Sequence, residues 1–368
     1  MIKCPLPWTG IAVEPDGTVK NCAVSSARLG NLKYTPIKAL LDNNFNKHIR
    51  AELTADTWPR ACGHCERVEQ IDPLFSNRSY QLNLHNDADI DYAGQHQLTQ
   101  LDLRWSNTCN YACIYCGPYF SSLWATELDQ KVNADREHFT KLKDYAYSGL
   151  NNLKEVYLAG GEPLLIKENL ELLEELYRVN PGCLVRITTN ASNLNNKIYR
   201  KIQEFTNVKW EVSVEAVGEQ FEYIRYPGVW TEFESNIKQL LAEWPKESLG
   251  ITMNYFLLNC NSIVETGKHL INLGFDENTV AVHPLTNPKY LDARGIPDES
   301  KERVIQYLTD YPNGGSTFGT SLQNCAEFLT KPFDRNIDDI VYSLNTIDKR
   351  RNLNFTKTFP NITKCLKI

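Results

Sequence analysis

The sequence predicts an α/β protein: a partial (β/α)6 barrel with a small cysteine-rich module ahead of it. Three observations carry that expectation. From about residue 98 onward, short β-branched and apolar runs alternate with stretches of helical spacing, the pattern of a parallel sheet with outer helices. Residues 1–75 read instead as short strands and turns set around cysteines. A tight group, Cys109, Cys113 and Cys116, directly follows the first strand of the alternating part. That is the strand end at which α/β barrels build their sites.

In the module, TGIAVEPDGTVKNC reads as a hairpin, with a turn at Pro15, Asp16 and Gly17 and Val19 leading to Cys22. Residues 36–53 have helical spacing of apolar positions. Residues 76–97 are polar and rich in Asn and Asp, as in a linker. The barrel is expected over residues 98–298, with strands at 98–105, 155–159, 184–189, 208–214, 250–257 and 279–284. Helical stretches lie between them at 167–179, 195–205, 233–244 and 262–273. Residues 299–368 form an extension with a helix near 299–310 and a tail that pattern alone does not assign.

Composition is that of an ordinary soluble globular chain: 368 residues, 42% hydrophobic and 23% charged. A net charge of −6 leaves no general electrostatic footprint for nucleic acid, which is not expected as a partner. No apolar run approaches the ~20 residues of a membrane span, so no membrane partner is expected. The opening MIKCPLPWTG lacks the apolar core of a signal peptide, which places the chain in the cytoplasm. In that reducing compartment, clustered cysteines read as metal ligands rather than disulfides. The chain has eleven: Cys4, Cys22, Cys62 and Cys65 early, the triplet, and the singles Cys183, Cys260, Cys325 and Cys365.

The triplet has C-x3-C-x2-C spacing. Three thiolates can hold three irons of a cubane and leave the fourth open, as a catalytic site requires. A zinc site completed by a distant residue is the alternative. Cys4, Cys22 and the pair Cys62-Gly-His-Cys65 could converge as a closed four-thiolate site, for which zinc and a [4Fe-4S] cluster are both sensible occupants.

With Tyr115 as its aromatic, the triplet resembles the C-x3-C-x-aromatic-C signature of the radical S-adenosylmethionine superfamily. The resemblance runs over about residues 98–290 and implies that Cys109, Cys113 and Cys116 hold a [4Fe-4S] cluster. S-adenosylmethionine would chelate its open iron, and one electron would cleave it to a 5′-deoxyadenosyl radical that abstracts a substrate hydrogen. Downstream residues follow the family's order. Gly160-Gly161-Glu162 looks like the GGE motif, where glycines admit close backbone approach and the carboxylate accepts from the amino group of the ligand. Alone, this segment would read as a strand-end turn. Thr189 and Asn190 end the third strand, and Ser213 and Glu215 end the fourth, as polar strand ends that touch the ribose and methionine parts in relatives. The fourth strand reads SVEA where relatives often have SxDG, which puts the role of Glu215 in doubt. Arg225 matches an arginine that holds the methionine carboxylate, a task for which a guanidinium suits; a surface ion pair is its other reading. Asn254 on the fifth strand could face the ligand or be a satisfied buried polar group.

The early stretch, with Cys4, Pro7-Trp8, Gly17, Cys22, Gly30-Asn31, Cys62 and Cys65, resembles a SPASM or twitch module. This implies one auxiliary [4Fe-4S] cluster, two clusters in all, with the module unusually placed before the barrel. Relatives of this type mostly modify peptides or proteins, so a peptide or protein substrate is implied, with a reductant such as flavodoxin or ferredoxin. A dehydrogenase or cyclase acting on a nucleotide or aminoglycoside-like small molecule is the second reading. A non-catalytic zinc-binding or redox-sensing protein is the rival from another class. Of the single cysteines, Cys325 is a hydrogen-donor candidate by elimination only.

Overall fold

A computed structural model of the chain describes residues 2–70, 76–85, 90–130 and 136–368. The chain divides into two compact units: residues 1–109, 118–188 and 195–208, and residues 110–117, 189–194 and 209–368.

In the first unit the strands are β1 (Gly10–Val13), β2 (Thr18–Lys20), β3 (Gly30–Asn31), β4 (Gln100–Leu103), β5 (Glu155–Leu158) and β6 (Leu184–Thr189), in the spatial order β3-β2-β1-β4-β5-β6. The expected hairpin is β1 and β2, paired antiparallel around Gly17, whose φ of 83° the glycine permits. β4, β5 and β6 pair in parallel. Their apolar residues Leu101, Leu103, Val156, Leu158, Val185 and Ile187 are almost fully buried. The alternate positions Asp102, Glu155, Tyr157 and Arg186 put polar groups on the other face, as period-two side-chain alternation requires.

β1 also pairs in parallel with β4, Gly10 opposite Gln100 and Val13 opposite Leu103. β4 therefore has neighbours on both edges, and the strands cannot close into a ring through it. The hairpin turn of the cysteine module consequently lies at the carboxyl end of its neighbour β4, the end from which the cysteine triplet departs.

Part of the expected linker is a helix, Asn77–Leu84. Its composition is polar, and its hold comes from hydrogen bonds rather than an apolar stripe. The Ser76 hydroxyl accepts from the Ser79 N–H at 3.0 Å, an N-cap. Farther along, Tyr80 Oη and Gln81 Nε2 each donate to Glu155 at 2.9 Å, beside the Arg186–Glu155 ion pair. Residues 86–89 of that expected linker lie outside the described residues.

In the second unit β7 (Val208–Ser213), β8 (Leu249–Tyr255) and β9 (Val280–Pro284) run parallel, in that order. Helices Trp230–Glu243 and Ile263–Leu273 form the crossovers. The tail is helical, at Thr317–Thr330, Ile337–Arg351 and Pro360–Leu366. The α/β fold with parallel strands is thus as expected, and its barrel is open. No helix of the described residues is long and apolar enough to cross a membrane.

Candidate metal centres

The triplet leaves β4 through Asn107 and Thr108. Cys109, half-buried, ends a segment of the first unit; Cys113 (8% exposed) and the half-buried Cys116 belong to the second. On the first unit, Gly160-Gly161-Glu162 sits directly on this exit. The Glu162 N–H donates to the Thr108 carbonyl at 2.8 Å, and a Cβ built on Gly161 would collide with that same carbonyl. Ser122 bonds both the N–H and the carbonyl of Cys109 at 3.1 Å. Glycine at 161 is therefore required by close packing against the residue before the first cysteine. Gly161→Ala is expected to displace Thr108 and Cys109, read as iron lost from the purified protein with the fold kept by circular dichroism. Gly160 has a φ of 116°, and Glu162 is 1% exposed, one oxygen accepting from the Leu164 N–H at 3.1 Å.

In the second unit the cysteine loop is stitched to the segment that carries Arg225. Ala112 N–H donates to Tyr226 O at 2.6 Å, Ile114 N–H to Ile224 O at 2.8 Å, and Tyr290 Oη to Ile114 O at 3.1 Å. Arg225 is 2% exposed, so the surface ion pair is excluded. Its fork is bound by Glu215, Nε to Oε2 at 2.7 Å and Nη2 to Oε1 at 2.9 Å, and its Nη1 lies 3.9 Å from the Cys113 sulfur. Tyr115 Oη donates to the same carboxylate at 3.0 Å and Asn254 Nδ2 at 3.2 Å. Asn259, which sequence reasoning missed, donates to the Glu215 carbonyl at 3.1 Å. Burial pushes the Cys113 thiol up to about 12, with Arg225 pulling the other way. A thiol held protonated by burial yields its proton to a metal, and the nearby guanidinium favours the thiolate.

The Thr189-Asn190 strand end meets the same loop. Asn190 Nδ2 donates to Asn110 Oδ1 at 3.0 Å, while Thr189 Oγ1 accepts from the Ala191 N–H at 2.9 Å. Ser213 closes β7, half-buried. Cys325, the hydrogen-donor candidate, is fully buried in the helix Thr317–Thr330.

In the first unit Cys4, Cys22, Cys62 and Cys65 line one cavity. The hairpin carries Cys4 and Cys22 to it, and the helix Gly63–Glu69 presents Cys65. A small apolar core of Trp8, Ala27, Ile49 and Leu53 packs behind. His64 lines the cavity as well. Burial raises all four thiols, Cys22 to about 11 and Cys62 to about 12, and neighbouring thiols raise Cys4, Cys22 and Cys62 further. Backbone N–H groups oppose this: Leu6 toward Cys4, Val24 and Ser25 toward Cys22, Arg78 and Asn77 toward Cys65. Among the described residues no three His, Cys, Asp or Glu side chains are placed to hold a single metal ion; the four thiols line the cavity together. Four thiolates around such a space suit a cubane, whose four irons each take one.

Two family models match the chain: the radical SAM superfamily over residues 103–266, and an iron-sulfur cluster-binding domain, SPASM, over residues 4–66. Among curated proteins, a GTP 3′,8-cyclase of Saccharophagus degradans is 25% identical over 207 residues, 55% of this chain and 59% of that one. The chain thus spans about three fifths of that relative. Among solved structures, Streptococcus suis SuiB bound to precursor peptide SuiA is similar with a TM-score of 0.42 and 17% identity, over 74% of this chain and 61% of that one. Native anSMEcpe with bound AdoMet and Cp18Cys peptide gives 0.41 and 18%, over 58% and 59%. The two domains imply [4Fe-4S] clusters and S-adenosylmethionine as cofactors, and both sets of thiols fit that chemistry. Residues 103–266 thus match the radical SAM superfamily, and residues 4–66 ahead of them match an iron-sulfur cluster-binding domain.

Proposed function

We propose that this enzyme cleaves S-adenosylmethionine reductively and abstracts a hydrogen atom from a peptide or protein substrate. The observation that carries the reading is the cysteine loop itself. Three thiols lie within eight residues, Cys109 through Cys116; Ser122 bonds Cys109, and the Ile224 and Tyr226 carbonyls accept from N–H groups of the loop. With no fourth cysteine in the loop, the set leaves one iron of a cubane open to a ligand. When bound, the cluster supplies the electron that breaks the sulfonium C–S bond. The chain's own part is to bind and orient. Glu162 offers a buried carboxylate to the ligand's amino group, a charge-assisted hydrogen bond. Thr189, Asn190, Ser213 and Asn254 supply polar strand ends beside the loop.

Arg225 and Glu215 we assign to holding the loop and placing a cation beside Cys113, since both oxygens of Glu215 engage the guanidinium. Residues 1–75 carry the second cluster and residues 98–298 the first, with electrons from a reductant such as flavodoxin or ferredoxin in the cytoplasm.

The preceding SPASM domain supports a peptide or protein substrate, in keeping with the sequence reading. A small-molecule reaction is the second reading, favoured by the cyclase names of several curated relatives. Deuterium transfer from labelled candidates into 5′-deoxyadenosine decides between them. Transfer from a peptide supports the first reading, and transfer from a nucleotide alone overturns it. Glu162→Ala is expected to keep the iron and weaken S-adenosylmethionine binding by about 1.5–3 kcal/mol, at least about tenfold, in an anaerobic titration.

A further inference from the structure

We propose that Asn77, Arg78 and Glu69 set the reduction potential of the cluster held by Cys4, Cys22, Cys62 and Cys65. The inference rests on reading those thiols as an iron–sulfur site and goes beyond it by assigning the charges that surround them. The helix Asn77–Leu84 begins at the cavity wall, which Asn77 and Arg78 both line. Asn77 Nδ2 donates to the Cys22 sulfur at 3.3 Å, and the Arg78 and Asn77 N–H groups bond the Cys65 sulfur. Side chain and helix terminus thus aim donors at two of the four sulfurs.

The guanidinium of Arg78 adds a fixed positive charge. Nε and Nη2 donate to the two oxygens of Glu69 at 2.8 and 2.5 Å, Nη1 donates to the Lys3 carbonyl at 2.8 Å, and the group lies 5.4 Å from the centre of the Trp58 ring. Both partners are mostly buried, side chains 16% and 11% exposed, so their charges act in a medium of low screening. Donors to sulfur and nearby cations stabilise the more negative, reduced cluster and raise its potential. A carboxylate does the opposite. Arg78 and Glu69 therefore pull the potential in opposite directions from one ion pair, and Asn77 pulls with Arg78. A scaffolding role for this corner would carry no such signs.

The test uses the full chain with Cys109, Cys113 and Cys116 replaced by Ala, so that only this cluster loads. Iron and zinc are counted first, and an anaerobic redox titration is then followed by electron paramagnetic resonance. Arg78→Gln and Asn77→Ala should each lower the midpoint potential relative to the parent, and Glu69→Gln should raise it. Should Arg78→Gln load poorly, the opposed shifts of Asn77→Ala and Glu69→Gln carry the same test, since both keep all four thiols. Unmoved potentials in these two, or shifts of the same sign, overturn the inference while the iron count leaves the cluster standing. Zinc in place of iron overturns the cluster reading, and the inference with it.

Discussion

Replacing Cys113 with Ala is expected to abolish S-adenosylmethionine cleavage and to halve the iron. Two full cubanes give roughly eight irons per chain, and loss of one leaves about four. The effect is large because Cys113 is the most buried of the triplet, within a loop whose flanking N–H groups are already committed to Ile224 and Tyr226. Ala at Cys109 or Cys116 should act alike. Ala at Cys62 should differ, since it touches only the other cavity. Substrate-free formation of 5′-deoxyadenosine should persist there while substrate turnover falls. Iron counts and product analysis on all four variants check this, and equal loss of cleavage in Cys62→Ala would contradict the division of labour.

Glu215→Ala should destabilise the folded chain by about 3–5 kcal/mol, the cost of leaving a buried cation without its partner. Glu215 is fully buried and Arg225 nearly so, and Tyr115 and Asn254 lose their acceptor in the same step. Glu215→Gln keeps shape and an acceptor and should cost less. In the double variant Glu215→Ala/Arg225→Ala the losses should be smaller than the sum, because the orphaned charge is gone. Urea unfolding of the parent, Glu215→Ala, Arg225→Ala and the double variant measures this cycle. A change within about 0.5 kcal/mol for Glu215→Ala, the range of an ordinary surface substitution, would mean that the pair does not hold the loop.

The sequence made the strands of the α/β part legible because each couples a β-branched apolar run to a following helical period. Cysteine spacing alone picked out both thiol groups. Three features lay beyond that reading for physical reasons. The pairing of β1 with β4 joins residues some ninety positions apart, and nothing local in Gly10–Val13 marks a second neighbour. The helix Asn77–Leu84 has a Ser76 cap but almost no apolar stripe, so its polar letters read as a linker while Glu155 supplies its hold. Glu215 and Arg225 stand ten positions apart, one beyond a strand and one at a helix end, and only the helix Gly218–Ile224 between them brings them into one ion pair. The helix Ile337–Arg351 was within reach: Ile340, Leu344 and Ile347 are buried at helical spacing.

One measurement tests directly the open iron implied by a three-cysteine loop. The protein is reconstituted anaerobically with iron and sulfide, reduced with dithionite and supplied with S-adenosylmethionine. Formation of 5′-deoxyadenosine together with methionine, absent in Cys113→Ala, is the predicted result. A fully loaded and reduced protein that forms no 5′-deoxyadenosine, with or without candidate peptides and nucleotides, would contradict it.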